Sequence, residues 1–227
     1  MKKFADTICR LLPPFAWLPI TVVILFNMFT YYVVPLLLGS DVVRSDLSTK
    51  WDYIVPYVPF FIIFYILSYA QWFFGYWIHC RESAMLCCTI TSADIIAKFL
   101  CMLCFILLPT VIIRPDIPET GLLNQCTILI YEHDKPINLF PSIHCLESWL
   151  CFRGAMMMKN KKNWYVVCQL VFTLLVFAST VFVKQHFLID IPAGILVVEI
   201  GLLISEKYGG WKIINSLQPK KLRIQTN

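Results

Sequence analysis

Two short stretches carry most of the chemistry this sequence can offer. The first is Phe140-Pro141-Ser142-Ile143-His144. The second runs from Ser179 to Asp190 and contains Lys184, Gln185 and His186. Each places one histidine at the edge of an apolar run. His186 and Asp190 are four residues apart, a spacing that puts both on one face of a helix and within reach of each other. A carboxylate bonded to one ring nitrogen fixes the tautomer and leaves the other nitrogen free to attack. His144 is then a second imidazole, suited to act as an acid. Arg114 and Lys184 add cations at similar boundaries, and Ser142 adds a hydroxyl near helix-start amides that can bond phosphate. Two histidines, an aspartate and cations in such places point to phosphoryl chemistry that requires no metal ion or other cofactor.

Each residue also has a plainer role when taken alone. Ser142 suits a helix N-cap. Arg114 suits an interfacial cation, Lys184 a contact to lipid headgroups, and His186 with Asp190 a structural hydrogen bond. Ionisable residues at membrane depth are costly and tend to be functional, so the convergence of several favours chemistry.

In order and spacing, Arg114-Pro115, Pro141-Ser142-x-His144 and Ser179 followed by His186-x-x-x-Asp190 resemble the type 2 phosphatidic acid phosphatase superfamily. Its three signatures are Lys-x6-Arg-Pro, Pro-Ser-Gly-His and Ser-Arg-x5-His-x3-Asp. The sequence departs from them at Leu107, Ile143 and Thr180, which stand where the signatures have lysine, glycine and arginine. Pro109-Thr110, Asn138 and Lys184-Gln185-His186 are similar to the branch that includes inositol-phosphate and phosphocholine transferases. The resemblance covers roughly the second half of the chain. It implies that His186 attacks phosphorus, Asp190 orients it, and His144 protonates the leaving oxygen before activating water or an alcohol. It implies that Arg114 and Ser142 hold phosphate oxygens. Lys184 is the candidate for the cation missing at Leu107 and Thr180.

These residues must be positioned by membrane-spanning elements. Of 227 residues, 59% are hydrophobic and only 15% charged, and the mean hydropathy is +0.70. A soluble domain of this length carries about 25% charge. The composition indicates an integral membrane protein with one compact domain over 1–227, and the net charge of +5 is no sign of nucleic-acid binding. Leu11 to Ser40 contains no Asp, Glu, Lys or Arg, more than the roughly 20 residues a span needs. Lys2, Lys3 and Arg10 precede it as in a signal peptide, but the run is too long and lacks a small-residue cleavage site.

The expected fold is all-α, with six transmembrane helices in one bundle over roughly 13–38, 53–78, 95–113, 141–158, 163–183 and 187–204. Lys98 is expected to snorkel at the start of the third span. Leu122 to Tyr131 is apolar but too short to cross, so it reads as an interfacial segment or lid in the long outer loop between the third and fourth helices. A basic tail, 205–227, is expected on the membrane surface or disordered. Of 19 Lys and Arg, the outer segments carry Arg44, Lys50, Arg114, Lys135 and Lys184, and the inner segments carry the other 14. The positive-inside rule therefore favours a cell-membrane protein with cytoplasmic termini and the candidate site at the extracytoplasmic face.

Other polar residues read differently. Glu147, three after His144, either tunes it or bonds within the bundle, with the bundle preferred. Glu199 reads as a satisfied interior carboxyl, His133 and Asp134 as solvated loop residues, and His79 as lying at the wrong end. The ten cysteines lack paired zinc-ligand spacing and behave as small apolar residues. The preferred function is a lipid phosphatase acting on a phosphoester or pyrophosphate. The alternatives are a lipid phosphotransferase with an alcohol acceptor, and a non-catalytic six-span lipid-binding or transport component.

Overall fold

The computed structural model describes residues 12–39 and 41–225. Lys2, Lys3 and Arg10, and with them the signal-peptide reading, lie outside the described residues. Among those residues the fold is all-helical, with no strand and only two isolated bridges, Ser45 with Thr110 and Val111 with Ile137.

The helices are α1 (Pro14–Leu38), α2 (Lys50–Ile54), α3 (Ile62–Glu82), α4 (Ala84–Leu107), α5 (Leu122–His133), α6 (Ile143–Met157), α7 (Asn163–Phe182), α8 (Asp190–Lys207) and α9 (Trp211–Leu217). Four are long and apolar enough to cross a membrane: α1, α3 with its leading turn from Pro59, α4 and α7. Their outer faces expose Leu25, Leu36, Phe73 and Val171, as lipid-facing surfaces do. α6 has 15 residues and measures about 22 Å at the α-helical rise. It packs against α3, α4, α7 and α8. Its enclosed faces are mostly apolar but also bury His144, Glu147 and Ser148. The main core joins Ile90, Ala97, Cys101 and Phe105 of α4 to Leu146 and Leu150 of α6 and Val197, Val198 and Leu202 of α8. At the closest crossing, a Cβ on Gly201 would lie 2.4 Å from the Ala93 carbonyl oxygen, so only glycine admits α8 there.

Several boundaries differ from the sequence expectation, each for a local reason. The second long helix begins at Ile62, not Tyr53, because Pro56 and Pro59 hold the preceding chain extended until a short 3₁₀ turn. The third begins at Ala84 and ends at Leu107, where Pro109 forbids continuation. Its polar first half resembles a loop in sequence, but Thr89, Thr91, Ser92 and Asp94 are buried inside the bundle. Ser83 caps the helix by accepting from the Leu86 amide at 3.1 Å, and Thr91 donates to the Cys87 carbonyl at 2.7 Å. Lys98 does not snorkel. It is 1% exposed and bonds Asp94 at 3.0 Å and Glu147 at 2.5 Å. Glu147 is thus a bundle residue, as preferred, and Tyr76 donates to its second oxygen at 3.1 Å. Part of the tail is not disordered but folds as α9. In α9, Trp211 and Ile214 pack against Cys88 of α4.

Candidate functional site

The site lies at the end of the bundle where α4 and α7 terminate and α6 and α8 begin. Ser142 is the N-cap of α6. Its hydroxyl is fully buried and accepts from the Cys145 amide at 3.3 Å. This cap fixes the first turn and with it His144. At the end of α7, Lys184 takes φ +56°, the left-handed region that commonly closes a helix. The amides of Gln185 and His186 then both bond the Thr180 carbonyl, at 3.0 and 3.1 Å. That turn delivers His186 beside the first residue of α8, Asp190.

His186 Nδ1 lies 3.0 Å from Asp190 Oδ2, and the Phe187 amide donates to the same oxygen at 3.0 Å. The carboxylate is completely buried. The bond places the proton on Nδ1 and leaves Nε2 basic. The His144 ring centre is 5.8 Å from that of His186. His144 is packed in an aromatic box: Tyr65 stacks on it at 4.1 Å, with Trp72 at 5.0 Å and Tyr69 at 5.6 Å.

Arg114 is pinned from several directions. Its guanidinium donates to the Tyr131 carbonyl at 3.0 Å, to the Asp134 carbonyl at 2.6 Å and to Gln185 Oε1, and it lies 4.3 Å over the Tyr131 ring. Burial lowers its pKa, partly offset by Asp134 and nearby tyrosines, but a guanidinium stays charged. Arg114, Lys184 and His186 line one cavity of about 390 Å³, with Asp52 and Tyr57 opposite. The Lys184 ammonium, however, donates to the backbone carbonyls of Asp52, at 2.7 Å, and Val55. Burial lowers its pKa and Asp52 offsets this in part. Lys184 therefore ties the α2 segment to the α7–α8 turn while sitting on the cavity wall.

Arg114 Nε, His144 Nε2, Gln185 Nε2 and Asp190 Oδ1 are buried without a hydrogen-bond partner among the described residues. An unpaired buried polar atom costs about 1–3 kcal/mol, and Arg114, which carries one of these, lines the cavity, so a polar ligand there would relieve that cost. Among the described residues no three His, Cys, Asp or Glu side chains converge as metal ligands.

Asp134 corrects the sequence reading. It is not a solvated loop residue: Tyr65 donates to its Oδ2 at 2.8 Å and Tyr31 to its Oδ1. The Tyr65 oxygen is also 3.4 Å from His144 Nδ1. With the Tyr65 proton committed to Asp134, His144 donates its Nδ1 proton to Tyr65. Nothing in the linear pattern joins Tyr31, Tyr65 and Asp134. His133, by contrast, is exposed, and its Nδ1 bonds the Leu129 carbonyl at 2.7 Å. His79 is at the opposite end, 3.2 Å from the Tyr165 hydroxyl. Glu199 pairs with Arg153 and accepts from Trp149 at 2.7 Å. Of the unmatched signature positions, Leu107 is exposed and Thr180 is buried, donating to the Phe177 carbonyl at 2.8 Å.

Searches against family models, curated proteins and solved structures return no match to this chain.

Proposed function

We propose that this chain is an integral membrane enzyme that cleaves a phosphoester or pyrophosphate on a lipid through a phosphohistidine on His186. The observation that carries the reading is the pair of imidazoles, 5.8 Å apart, with His186 held by the buried Asp190 and facing the cavity that Arg114 lines. The motif resemblance to type 2 phosphatidic acid phosphatases supports it, since the matching residues His144, His186, Asp190 and Arg114 meet at one end of the bundle.

In this reaction His186 Nε2 forms a bond to phosphorus as the bond to the leaving oxygen breaks. His144, doubly protonated in the reacting state, gives its Nε2 proton to that oxygen. The Nδ1 proton of His186 stays on the bond to Asp190, whose charge offsets the phosphoimidazolium. Water then attacks the phosphohistidine, passes its proton to His144, and releases phosphate and His186. Arg114 holds the nonbridging oxygens. Ser142 acts through the α6 start it caps. An alcohol in place of water makes the enzyme a phosphotransferase, the reading that the similarity of Lys184-Gln185-His186 and Asn138 to the transferase branch favours.

The membrane arrangement belongs to the same proposal. α6 and α8 complete six spans with α1, α3, α4 and α7, and α5 is a lid beside the site. Lys98 leaves the tally of inner cations because it is buried in the bundle, yet the other described basic residues assigned to the inner side, from Arg81 to Arg223, lie on segments toward the end opposite His186. This supports a cell-membrane protein with cytoplasmic termini and an extracytoplasmic site.

The test is purified full-length protein in detergent, supplied with phosphatidate, phosphatidylglycerol phosphate or undecaprenyl pyrophosphate, with and without diacylglycerol or ceramide. Phosphate release without acceptor indicates the hydrolase; headgroup transfer only with an acceptor indicates the transferase. No turnover of any substrate in folded protein favours the non-catalytic lipid-binding component.

A further inference from the structure

A second cavity, about 410 Å³, lies between the outer half of α1 and the chain leading from α5 to α6. It shares none of its lining residues with the cavity of His186. Two cations from two segments reach it: Arg44 from the loop after α1 and Lys135 from the chain after α5. Part of its wall is a π-helical segment of α1, Phe29–Val33. The wider turn brings three consecutive residues, Thr30, Tyr31 and Tyr32, to one cavity, and such insertions are frequent at functional positions.

Two polar side chains in this wall lack partners among the described residues. The Thr30 hydroxyl is fully buried and unbonded, although a threonine in a helix ordinarily donates to a carbonyl one turn earlier. Asn138, held at φ +54°, has both its amide nitrogen and its amide oxygen buried and unbonded. Nearby donors without acceptors, combined with the two cations Arg44 and Lys135, describe an anion site. The remaining wall is apolar: Leu36 of α1 and Phe105 of α4. Leu36 is 79% exposed, so the cavity is continuous with the lipid-facing surface of a membrane-crossing helix.

We propose that this cavity binds an anionic phospholipid. Its phosphate sits among Lys135, Arg44, Thr30 and Asn138, and an acyl chain runs down past Phe105 and Leu36. The assignment does not depend on the phosphohistidine reading, because the two cavities are lined by different residues. It does bring a lipid next to Tyr31, whose hydroxyl bonds the same Asp134 carboxylate that Tyr65 bonds beside His144.

The test uses the full-length His186→Ala protein, so that no turnover intervenes. Native mass spectrometry follows its titration with phosphatidylglycerol, phosphatidylcholine and inorganic phosphate. Phosphatidylglycerol should bind more tightly than phosphatidylcholine, and free phosphate more weakly than either. Lys135→Gln should weaken phosphatidylglycerol about tenfold, the effect of losing a charged hydrogen bond. Lys50→Gln, an equal charge change on exposed α2, should alter it by less than about twofold. Thr30→Val guards against misfolding as an explanation. Removing an unbonded buried hydroxyl should raise the melting temperature of lipid-free protein while weakening phosphatidylglycerol binding. Equal losses for Lys135→Gln and Lys50→Gln would mean diffuse attraction to a basic surface and overturn the site. Free phosphate binding as tightly as the lipid would overturn the lipid assignment, as would unchanged lipid binding by Thr30→Val.

Discussion

Lys184 stands on the wall of the His186 cavity, yet its ammonium is spent on the carbonyls of Asp52 and Val55. Charged hydrogen bonds of this kind contribute about 1.5–3 kcal/mol. Lys184→Met should therefore lower the melting temperature and change turnover by less than about tenfold. A turnover loss of about 10²–10³ at unchanged melting temperature would instead make it a phosphate ligand replacing the cation missing at Thr180. His144 has a separable role. His144→Ala should slow a substrate with a poor alkoxide leaving group far more than one that releases p-nitrophenolate, which needs little protonation. Tyr65→Phe and Asp134→Asn should show the same leaving-group pattern in weaker form, because they act by positioning His144. Equal slowing of both substrates by either variant would leave Asp134 with a purely structural role.

At the scale of elements, the His186 end is held by two small apolar clusters, around Val183 and around Phe187, and also by short polar contacts. Asp52 is the clearest case. Burial pushes its carboxyl up, but bonds from Thr49 and the Leu188 amide, at 2.7 Å, outweigh this and hold it below 3.8. A depressed folded-state value means stability that is fully present above about pH 3.8 and is lost as pH falls through the lower, folded-state value. The melting temperature should thus drop more steeply below about pH 4 in the wild type than in Asp52→Asn, which lacks that linkage. The helices themselves were legible from uncharged runs, and α1, α6 and α7 begin and end within a few residues of expectation. The start of α4 was not. Thr89, Thr91, Ser92 and Asp94 look like a polar loop, and only packing reveals that they are buried in the bundle, with Thr91 and Ser92 bonded to helix carbonyls and Asp94 to Lys98. The contact of His186 with Asp190 was legible because it is local. The Asp134–Tyr65–His144 contact was not, because its members are 69 and 79 residues apart.

For the whole molecule, the proposed orientation rests on where basic residues collect. Ser45 and Glu119 lie toward the His186 end, and Asn160 lies at the other, where its amide bonds Glu82 beyond the end of the α3 hairpin. A membrane-impermeant maleimide added to intact cells should label Ser45→Cys and Glu119→Cys but not Asn160→Cys. The reverse pattern would place the site, and its substrate, in the cytoplasm.

A phosphate carried by His186 is the direct consequence of the proposed chemistry, and it can be trapped. Protein mixed with phosphatidate labelled in the phosphate, quenched in alkali during the first turnovers and digested, should yield one acid-labile phosphohistidine at His186. The label should be absent from His186→Ala. Label on another residue, or turnover by His186→Ala, would contradict the proposed chemistry.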